Sequence, residues 1–156
     1  MRCEHCWALH KALISDGELK EWELALPFEV DVPASTPPGA KEDVLEAGRC
    51  LENGAPRGCV VMCRRALGFI ADLKGAKGRW LEEKIDDLHK RGLIKDVTYG
   101  MAKPIREFGN YGAHRKDDLL DRVDERTAED IMRITLRLLE ELYPKHEAEP
   151  RVLSER

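Results

Sequence analysis

The sequence predicts an all-α fold, a bundle of four to five helices with an extended N-terminal arm. Apolar residues recur three to four positions apart in successive segments beyond residue 39, and glycines or prolines mark most of the segment ends. Strand patterns are almost absent. With 156 residues, the chain is long enough to bury a hydrophobic core without disulfides or a metal.

Residues 1–38 differ from the rest and are predicted to form the arm. The alternation in "FEVDV" at 28–32 allows at most one short strand. The apolar residues of the arm, Val30 among them, are expected to lie along the helical body. Four prolines interrupt regular structure in this region: Pro27, Pro33, Pro37 and Pro38.

Residues 39–146 are predicted to form the helical domain, and its first two helices are bounded by glycine and proline. The first helix ends at Gly54, a residue type that commonly follows a helix C-terminus. The second begins near Pro56 and ends near Gly75. Its apolar stripe consists of Val60, Cys63, Leu67 and Ile70.

The third and fourth segments follow the same plan with more interruptions. The third ends at Gly92, and the fourth, residues 94–114, is disturbed by Pro104 and by glycines. The third segment, "GRWLEEKIDDLHKRG", has an apolar stripe of Leu81, Ile85 and Leu88.

The last helix has the clearest pattern in the chain. Thr127 with Asp130 resembles a capping arrangement, and Pro144 is expected to stop the helix. A polar connection precedes it, and residues 147–156 are expected to be a frayed tail. Its stripe consists of Ile131, Ile134, Leu138 and Leu142.

Charge and cysteine content limit the classes of partner. The net charge of −4 means that any nucleic-acid contact must use a local basic patch. The first residues do not resemble a signal peptide, and the five cysteines are an odd number. Free thiols in a reducing compartment, the cytoplasm, are therefore expected. No apolar run approaches the roughly 20 residues that span a bilayer, so no membrane partner is predicted.

"CEHC" at residues 3–6 has the spacing of one zinc knuckle. A structural zinc site needs four ligands, usually as two pairs, and no second CxxC exists. Cys59 and Cys63, one helical turn apart, are the only other close pair. We predict no cofactor and no metal site, with zinc at Cys3 and Cys6 as the alternative to free thiols.

The stretch "IREFGNYGAH" at 105–114 supplies the candidate site. Arg106, Asn110 and His114 are four apart, so on one helix they share a face. Histidine can move protons at neutral pH, and the guanidinium group suits phosphate. Together they could bind a phosphodiester or cleave it without a metal, with histidine as general base or acid.

A structural interpretation of the same residues stays open. About 12 Å of rise separates Arg106 from His114 on a continuous helix, so one phosphate reaches all three only if the helix bends or a second copy contributes. Arg106 could instead pair with Asp96 or Glu83, and His114 could be an interhelical hydrogen-bonding group. Gly109 and Gly112 would let another surface approach closely.

Cations elsewhere complete the predicted site. Arg64 lies beside the apolar stripe of the second helix, where a partly buried guanidinium needs a partner such as Asn110 or an acidic residue of the last helix. The alternative is a side chain that extends to solvent. The predicted nucleic-acid-binding residues are Arg64, Lys103 and Arg115.

Four stretches together resemble the prokaryotic domain-of-unknown-function family 4145, placed within the HEPN-like helical superfamily. The resemblance covers about residues 40–144, and "CEHC" is similar to half of the N-terminal zinc ribbon that relatives often carry. The stretches are "AGRCLENGAPRGCVVMCRRAL", "LEEKIDDLHKRGLI", "IREFGNYGAH" and "LLEELYP".

The resemblance implies a helical bundle that dimerises with its polar motifs facing a shared cleft. The superfamily includes metal-independent ribonucleases of toxin and antiphage systems, and also inactive binding or scaffolding modules. Asn110 and His114 match the asparagine–histidine spacing of the active motif, while Gly109 stands in the place of its arginine and Gly68 where relatives often have an acidic residue. We therefore expect a homodimer that binds or acts on nucleic acid, RNA above all, through a polar cleft formed on dimerisation in a defence or toxin-type system, where a partner protein is also expected. Metal-independent ribonuclease activity stays open. The alternative is an inactive dimerisation or adaptor module in which Arg106, Asn110 and His114 form a structural network.

Overall fold

A computed structural model of the chain describes residues 10–15, 18–24, 29–107 and 119–144. Its body is a helical bundle, which confirms the predicted all-α class. The described part of the fourth predicted segment consists of two short helices, and a 3-10 turn, Leu119–Arg122, precedes the last helix. The described helices are α1 Pro38–Glu52, α2 Pro56–Leu73, α3 Leu81–Lys90, α4 Asp96–Met101, α5 Lys103–Glu107 and α6 Glu125–Leu142.

The arm contains a β-hairpin, so the prediction of at most one short strand is wrong. Strands β1 (His10–Ser15) and β2 (Glu18–Leu24) pair antiparallel, with an irregularity in register after Leu13. "DG" at 16–17, which separates the two strand sequences, is a strong hairpin signal that distinguishes this stretch from a single strand. Residues 29–32 of "FEVDV" lie in no strand, since prolines bracket that stretch and remove ladder donors.

Proline and glycine bound α1 and α2 as predicted. Each helix has a proline in its first turn, where the missing N–H has no partner to lose. Gly54, Gly75 and Gly92, which follow the first three helices, have φ values of 66°, 65° and 74°. Glycine adopts this left-handed conformation without the cost that a Cβ adds.

The core lies where α2 packs against α1, α3 and α6. Every residue of the predicted stripes on α2, α3 and α6 is buried. Sulfur atoms fill part of this core, with Cys63 Sγ 3.5 Å from Met132 Sδ. The residue spacing therefore predicted the buried faces correctly.

The arm joins the bundle at a glycine. A Cβ at Gly48 on α1 would lie 3.3 Å from Val30 Cγ2 and 3.8 Å from Met132 Cε. The absence of a side chain at this position lets Val30 pack on the core, as expected for the arm, and Val32 beside it is buried. Among the described residues, no helix combines the length and apolar character needed to cross a bilayer.

The last helix begins earlier than predicted and has a different cap. Asp124 precedes the helix, and its Oδ1 accepts a 2.8 Å hydrogen bond from the backbone N–H of Thr127. The predicted pair of Thr127 and Asp130 is therefore wrong, because Thr127 already lies inside the first turn. Hydrogen bonds from Thr127, first from its hydroxyl and then from its N–H, lower the pKa of the Asp124 carboxyl.

Asp124→Ala should lower the free energy of unfolding by about 1 kcal/mol at pH 7, because the first turn loses its cap. Because the pKa of Asp124 is lower in the folded than in the unfolded chain, the cap contributes its full stabilisation above the unfolded-state pKa. This stabilisation is lost as the pH falls through the folded-state pKa. Urea unfolding across this acid range measures both effects. Asp130→Ala is the matched control and should change stability by less than about 0.5 kcal/mol; equal losses in the two variants would contradict the assigned cap.

Candidate functional site

The structure describes only part of the predicted site. Arg106 belongs to α5, but its side chain, together with Asn110, His114 and Arg115, lies outside the described residues. Their mutual geometry stays a prediction. Two other predicted cations are described: Lys103 is exposed at the start of α5, and Arg64 is half-buried on α2.

Ala102 separates α4 from α5, the helix that carries Arg106. The N–H of Ala102 donates to the carbonyl oxygens of Thr98 and Tyr99, which closes α4, and α5 begins at the next residue. Pro104 lies in the first turn of α5, where proline is tolerated. Ile105 is fully buried and anchors α5, which packs on α3 and α4. The helices therefore fix where the chain enters the candidate stretch.

One carboxylate from α6 holds the start of α4. Lys95 precedes α4 and provides no side-chain cap of its own. Glu141 Oε2 accepts a 2.9 Å hydrogen bond from the backbone N–H of Lys95, and Oε1 accepts a 2.6 Å bond from the Thr98 hydroxyl. A carboxylate close in sequence commonly caps a helix in this way, but here it comes from 46 residues downstream. We call Glu141, Lys95 and Thr98 the α4 clamp.

A second set of contacts joins α4 to α3. The rings of His89 and Tyr99 stack with centroids 3.9 Å apart and planes 6° apart. His89 Nε2 lies 2.7 Å from Asp96 Oδ1, and the Tyr99 hydroxyl donates a 2.9 Å bond to Asp86 Oδ1. A histidine–carboxylate pair can move protons, but this one spans the turn between two helices, with one ring face covered by Tyr99. It is suited to fixing α4 in place.

Both carboxylates proposed as partners of Arg106 have other contacts. Asp96 bonds to His89, and Glu83 Oε2 accepts the backbone N–H groups of Arg79 at 2.6 Å and Trp80 at 3.3 Å. These bonds order the connection that leads into α3. The pairing of Arg106 with either carboxylate stays a prediction, because its side chain lies outside the described residues.

Sequence reasoning missed most of the residues that support α4. The sequence indicates Asp96 only as a candidate partner of Arg106, and no pattern distinguishes Glu141 from the other acidic residues near the end of the last helix. No local signal connects Glu141 with Lys95. The buried Thr98 hydroxyl, which needs a hydrogen-bond acceptor, becomes evident only in the structure.

A cleft of about 350 Å³ opens beside the α4 clamp. Its charges balance, because Arg137 Nη1 lies 3.2 Å from Glu140 Oε2 and Glu141 faces the same recess as Lys95. A recess with balanced charge does not favour an anion over a cation. The lining residues are Gly92, Leu93, Lys95, Arg137, Glu140 and Glu141.

The cysteines in the core are not placed for metal binding or nucleophilic chemistry. Cys59 and Cys63 are fully buried free thiols. The hydrogen bond with Cys63 and burial raise the pKa of the Cys59 thiol far above its ordinary value, and a protonated thiol is a poor ligand and nucleophile. Across the described residues, no three His, Cys, Asp or Glu side chains form a group that could hold a metal ion. Cys3 and Cys6 lie outside the described residues.

Comparison with known proteins identifies a family. Residues 45–156 match the family described as "Domain of unknown function (DUF4145)". No curated protein and no solved structure matches the chain. The matched range includes α2 to α6 and the candidate stretch.

Glu141→Ala should release the start of α4, because the Lys95 N–H and the Thr98 hydroxyl lose their acceptor. We expect the free energy of unfolding to fall by about 1–3 kcal/mol. Backbone amides of residues 96–107 should exchange with deuterium at least about tenfold faster, measured by mass spectrometry. Glu140→Ala removes a neighbouring exposed carboxylate and is the control; faster exchange at 96–107 in that variant too would argue against the clamp.

Proposed function

The chain belongs to the DUF4145 family, and we propose from this that it is a HEPN-like homodimer that binds RNA around Arg106, Asn110 and His114. The proposal places it in the cytoplasm, in a prokaryotic defence or toxin-type system. RNA is favoured because a single strand offers phosphates for the guanidinium group and unstacked bases for polar side chains. Binding is the proposed activity, and cleavage is a possible outcome of the test below.

The observation that carries the proposal is the regular spacing of Arg106, Asn110 and His114, which begins on α5, a helix packed on the bundle. Ile105 anchors α5 in the core, and the α4 clamp fixes the helix before it. A binding site needs such support, since side chains on a loosely held segment recognise a ligand poorly. The chain therefore enters the candidate stretch from two helices, α4 and α5, that are both held to the bundle.

Charge at α5 supports contact with phosphate. Positions 103 and 106 are three apart on this short helix, and the exposed Lys103 side chain reaches solvent. Because the whole chain carries a charge of −4, its affinity for RNA must come from the cations at positions 103 and 106. Binding should therefore weaken steeply as salt concentration rises.

The chemistry available to the three residues is metal-independent. His114 could take the proton of a ribose 2′-hydroxyl as its oxygen attacks the adjacent phosphorus, and the 5′-oxygen would leave with a proton from an acid. Arg106 could stabilise the charge that develops on the phosphate, and Asn110 could orient the imidazole. Gly109 occupies the place where an active relative would carry arginine, so binding without cleavage is the narrower proposal.

A dimerisation or adaptor module is the second candidate function. It is favoured by the polar residues around α4, which are committed to structural hydrogen bonds in the α4 clamp and in the His89–Asp96 pair. In that case Arg106, Asn110 and His114 would form a further structural network. His114→Ala would then lower the melting temperature, whereas a ligand-binding histidine can be removed with little loss of stability.

Arg106→Ala should weaken binding to a fluorescein-labelled single-stranded RNA of mixed sequence by about fivefold or more, measured by fluorescence anisotropy. The slope of log K against log salt should fall by about 0.7, the value for one phosphate contact on a single strand. Gel analysis of the same RNA with wild type and with His114→Ala reports any cleavage that depends on this histidine.

The matched control is Lys41→Ala, which removes a cation from α1, a helix that does not pack extensively on α5. Its affinity and salt slope should equal those of the wild type. Absence of wild-type binding, or equal weakening by the Arg106 and Lys41 variants, would contradict the RNA proposal. A lowered melting temperature of His114→Ala together with absent binding would favour the adaptor.

A further inference from the structure

The connection from α2 to α3 is basic and ends in an exposed aromatic ring. Residues 74–80, "KGAKGRW", contain Lys74, Lys77 and Arg79 and no acidic residue. Trp80 has 40% of its surface exposed, and Lys77 and Arg79 are exposed beside it. Cations interleaved with an aromatic side chain are typical of surfaces that bind single-stranded nucleic acid.

The two side chains at the end of this connection lie against each other. Arg79 Cζ is 5.1 Å from the centroid of the Trp80 ring, which is a cation–π contact. Indole rings and guanidinium planes are both groups on which unpaired bases stack. Lys77, two residues earlier, adds a point charge suited to phosphate. We call Lys77, Arg79 and Trp80 the Trp80 platform.

Carboxylates of α3 hold the backbone of the platform. Glu83 Oε2 accepts the N–H groups of Arg79 at 2.6 Å and Trp80 at 3.3 Å, and Asp87 Oδ2 accepts the N–H of Lys77 at 3.1 Å. All three residues are therefore fixed through their main chain, which leaves their side chains available to a ligand. A site positioned in this way loses little freedom when it binds.

Gly78 lets the connection pass close to α3. Its φ is 138°, and a Cβ at this position would lie 2.5 Å from Glu83 Cβ. A side chain would therefore meet the first turn of α3 as well as an unfavourable backbone conformation. The close passage sets Lys77 and Arg79, on either side of Gly78, against the start of α3.

The path of α4 leads toward this end of α3. Asp96, at the start of α4, bonds to His89 near the end of α3, and Tyr99 bonds to Asp86 about one helical turn earlier on α3. The chain therefore runs antiparallel to α3, in the direction of Trp80. Helix α5 follows after a single residue and also packs on α3, so the same direction brings its cations toward the platform.

We propose that the Trp80 platform is a subsite for single-stranded RNA, in which an unpaired base stacks on the Trp80 ring beside Arg79 and Lys77 contacts a neighbouring phosphate. The inference rests on the proposed function, and it names the substrate class of that site as a strand with unpaired bases. A duplex does not fit, since its bases stack on one another and leave no free face.

A nucleic-acid strand suits this surface better than a protein partner does. Tryptophan and arginine are also frequent at the centres of protein interfaces, but there they are enclosed by a packed and desolvated surround. The neighbours of Trp80 in the connection are cations and glycines, which match phosphates instead.

Trp80→Ala should weaken binding of the labelled single-stranded RNA by about fivefold or more in fluorescence anisotropy, because one base loses the ring on which it stacks. Binding of the same strand annealed to its complement should not change, since the duplex offers no base to this ring. Trp80→Phe keeps an aromatic face and should retain most of the wild-type affinity for the single strand.

Tryptophan fluorescence reports the stacking itself and uses folded proteins even where Trp80→Ala is unstable. A saturating amount of the unlabelled single strand should quench the wild type, and Trp80→Phe should lack this quenching although it retains two other tryptophans.

Lys77→Ala tests the phosphate contact and should lower the slope of log K against log salt by about 0.7 for the single strand. Lys90→Ala removes an exposed cation at the other end of α3 and is the matched control, which should leave affinity and slope unchanged.

Two results would overturn the inference: unchanged tryptophan fluorescence at saturation, or a Trp80→Ala variant that weakens single-strand and duplex binding equally or not at all. If Arg106→Ala still weakens binding in that case, the proposed function stands without the platform. Binding that depends on Trp80 but not on Arg106 would support the platform and reject the proposed site. A wild type that binds no RNA would reject both.

Discussion

The placement of α4 and α5 depends on the carboxylate of Glu141. A six-residue helix forms too few internal hydrogen bonds to be stable alone, since nucleation costs more than one turn returns. The α4 clamp supplies the missing cap from α6, one of the two longest described helices. Because α5 follows α4 after a single residue, the position of Arg106 along the chain also depends on this contact.

The buried half of the α4 clamp is the more important for stability. Both Glu141 oxygens accept hydrogen bonds, and the Thr98 hydroxyl lies in a buried position where an unpaired donor is costly, whereas the Lys95 N–H is exposed. The stacked ring pair of His89 and Tyr99 then prevents α4 from tilting away from α3. The two contacts act at different places on α4, so together they define both its start and its orientation.

Local signals predicted the larger helices, and contacts distant in sequence explain what was missed. Gly54, Gly75 and Gly92 end their helices through a backbone conformation that a single residue determines, so the sequence alone sufficed there. The cap of the last helix is also local, but the pattern of Thr127 and Asp130 resembles a cap and predicts a helix start three residues after the true cap, Asp124. The partnership of Glu141 with Lys95 could not be predicted, since it exists only after α4 packs against α6.

RNA binding needs a few cations held firmly, and Lys103 and Arg106 lie on α5, directly after the helix whose start the α4 clamp holds. A net charge of −4 opposes the approach of RNA by long-range repulsion. The phosphate contacts made from α5 must exceed that repulsion. Raising the salt concentration screens the repulsion, but it also weakens the phosphate contacts, which bind by releasing counterions, so the net effect on affinity should be a loss.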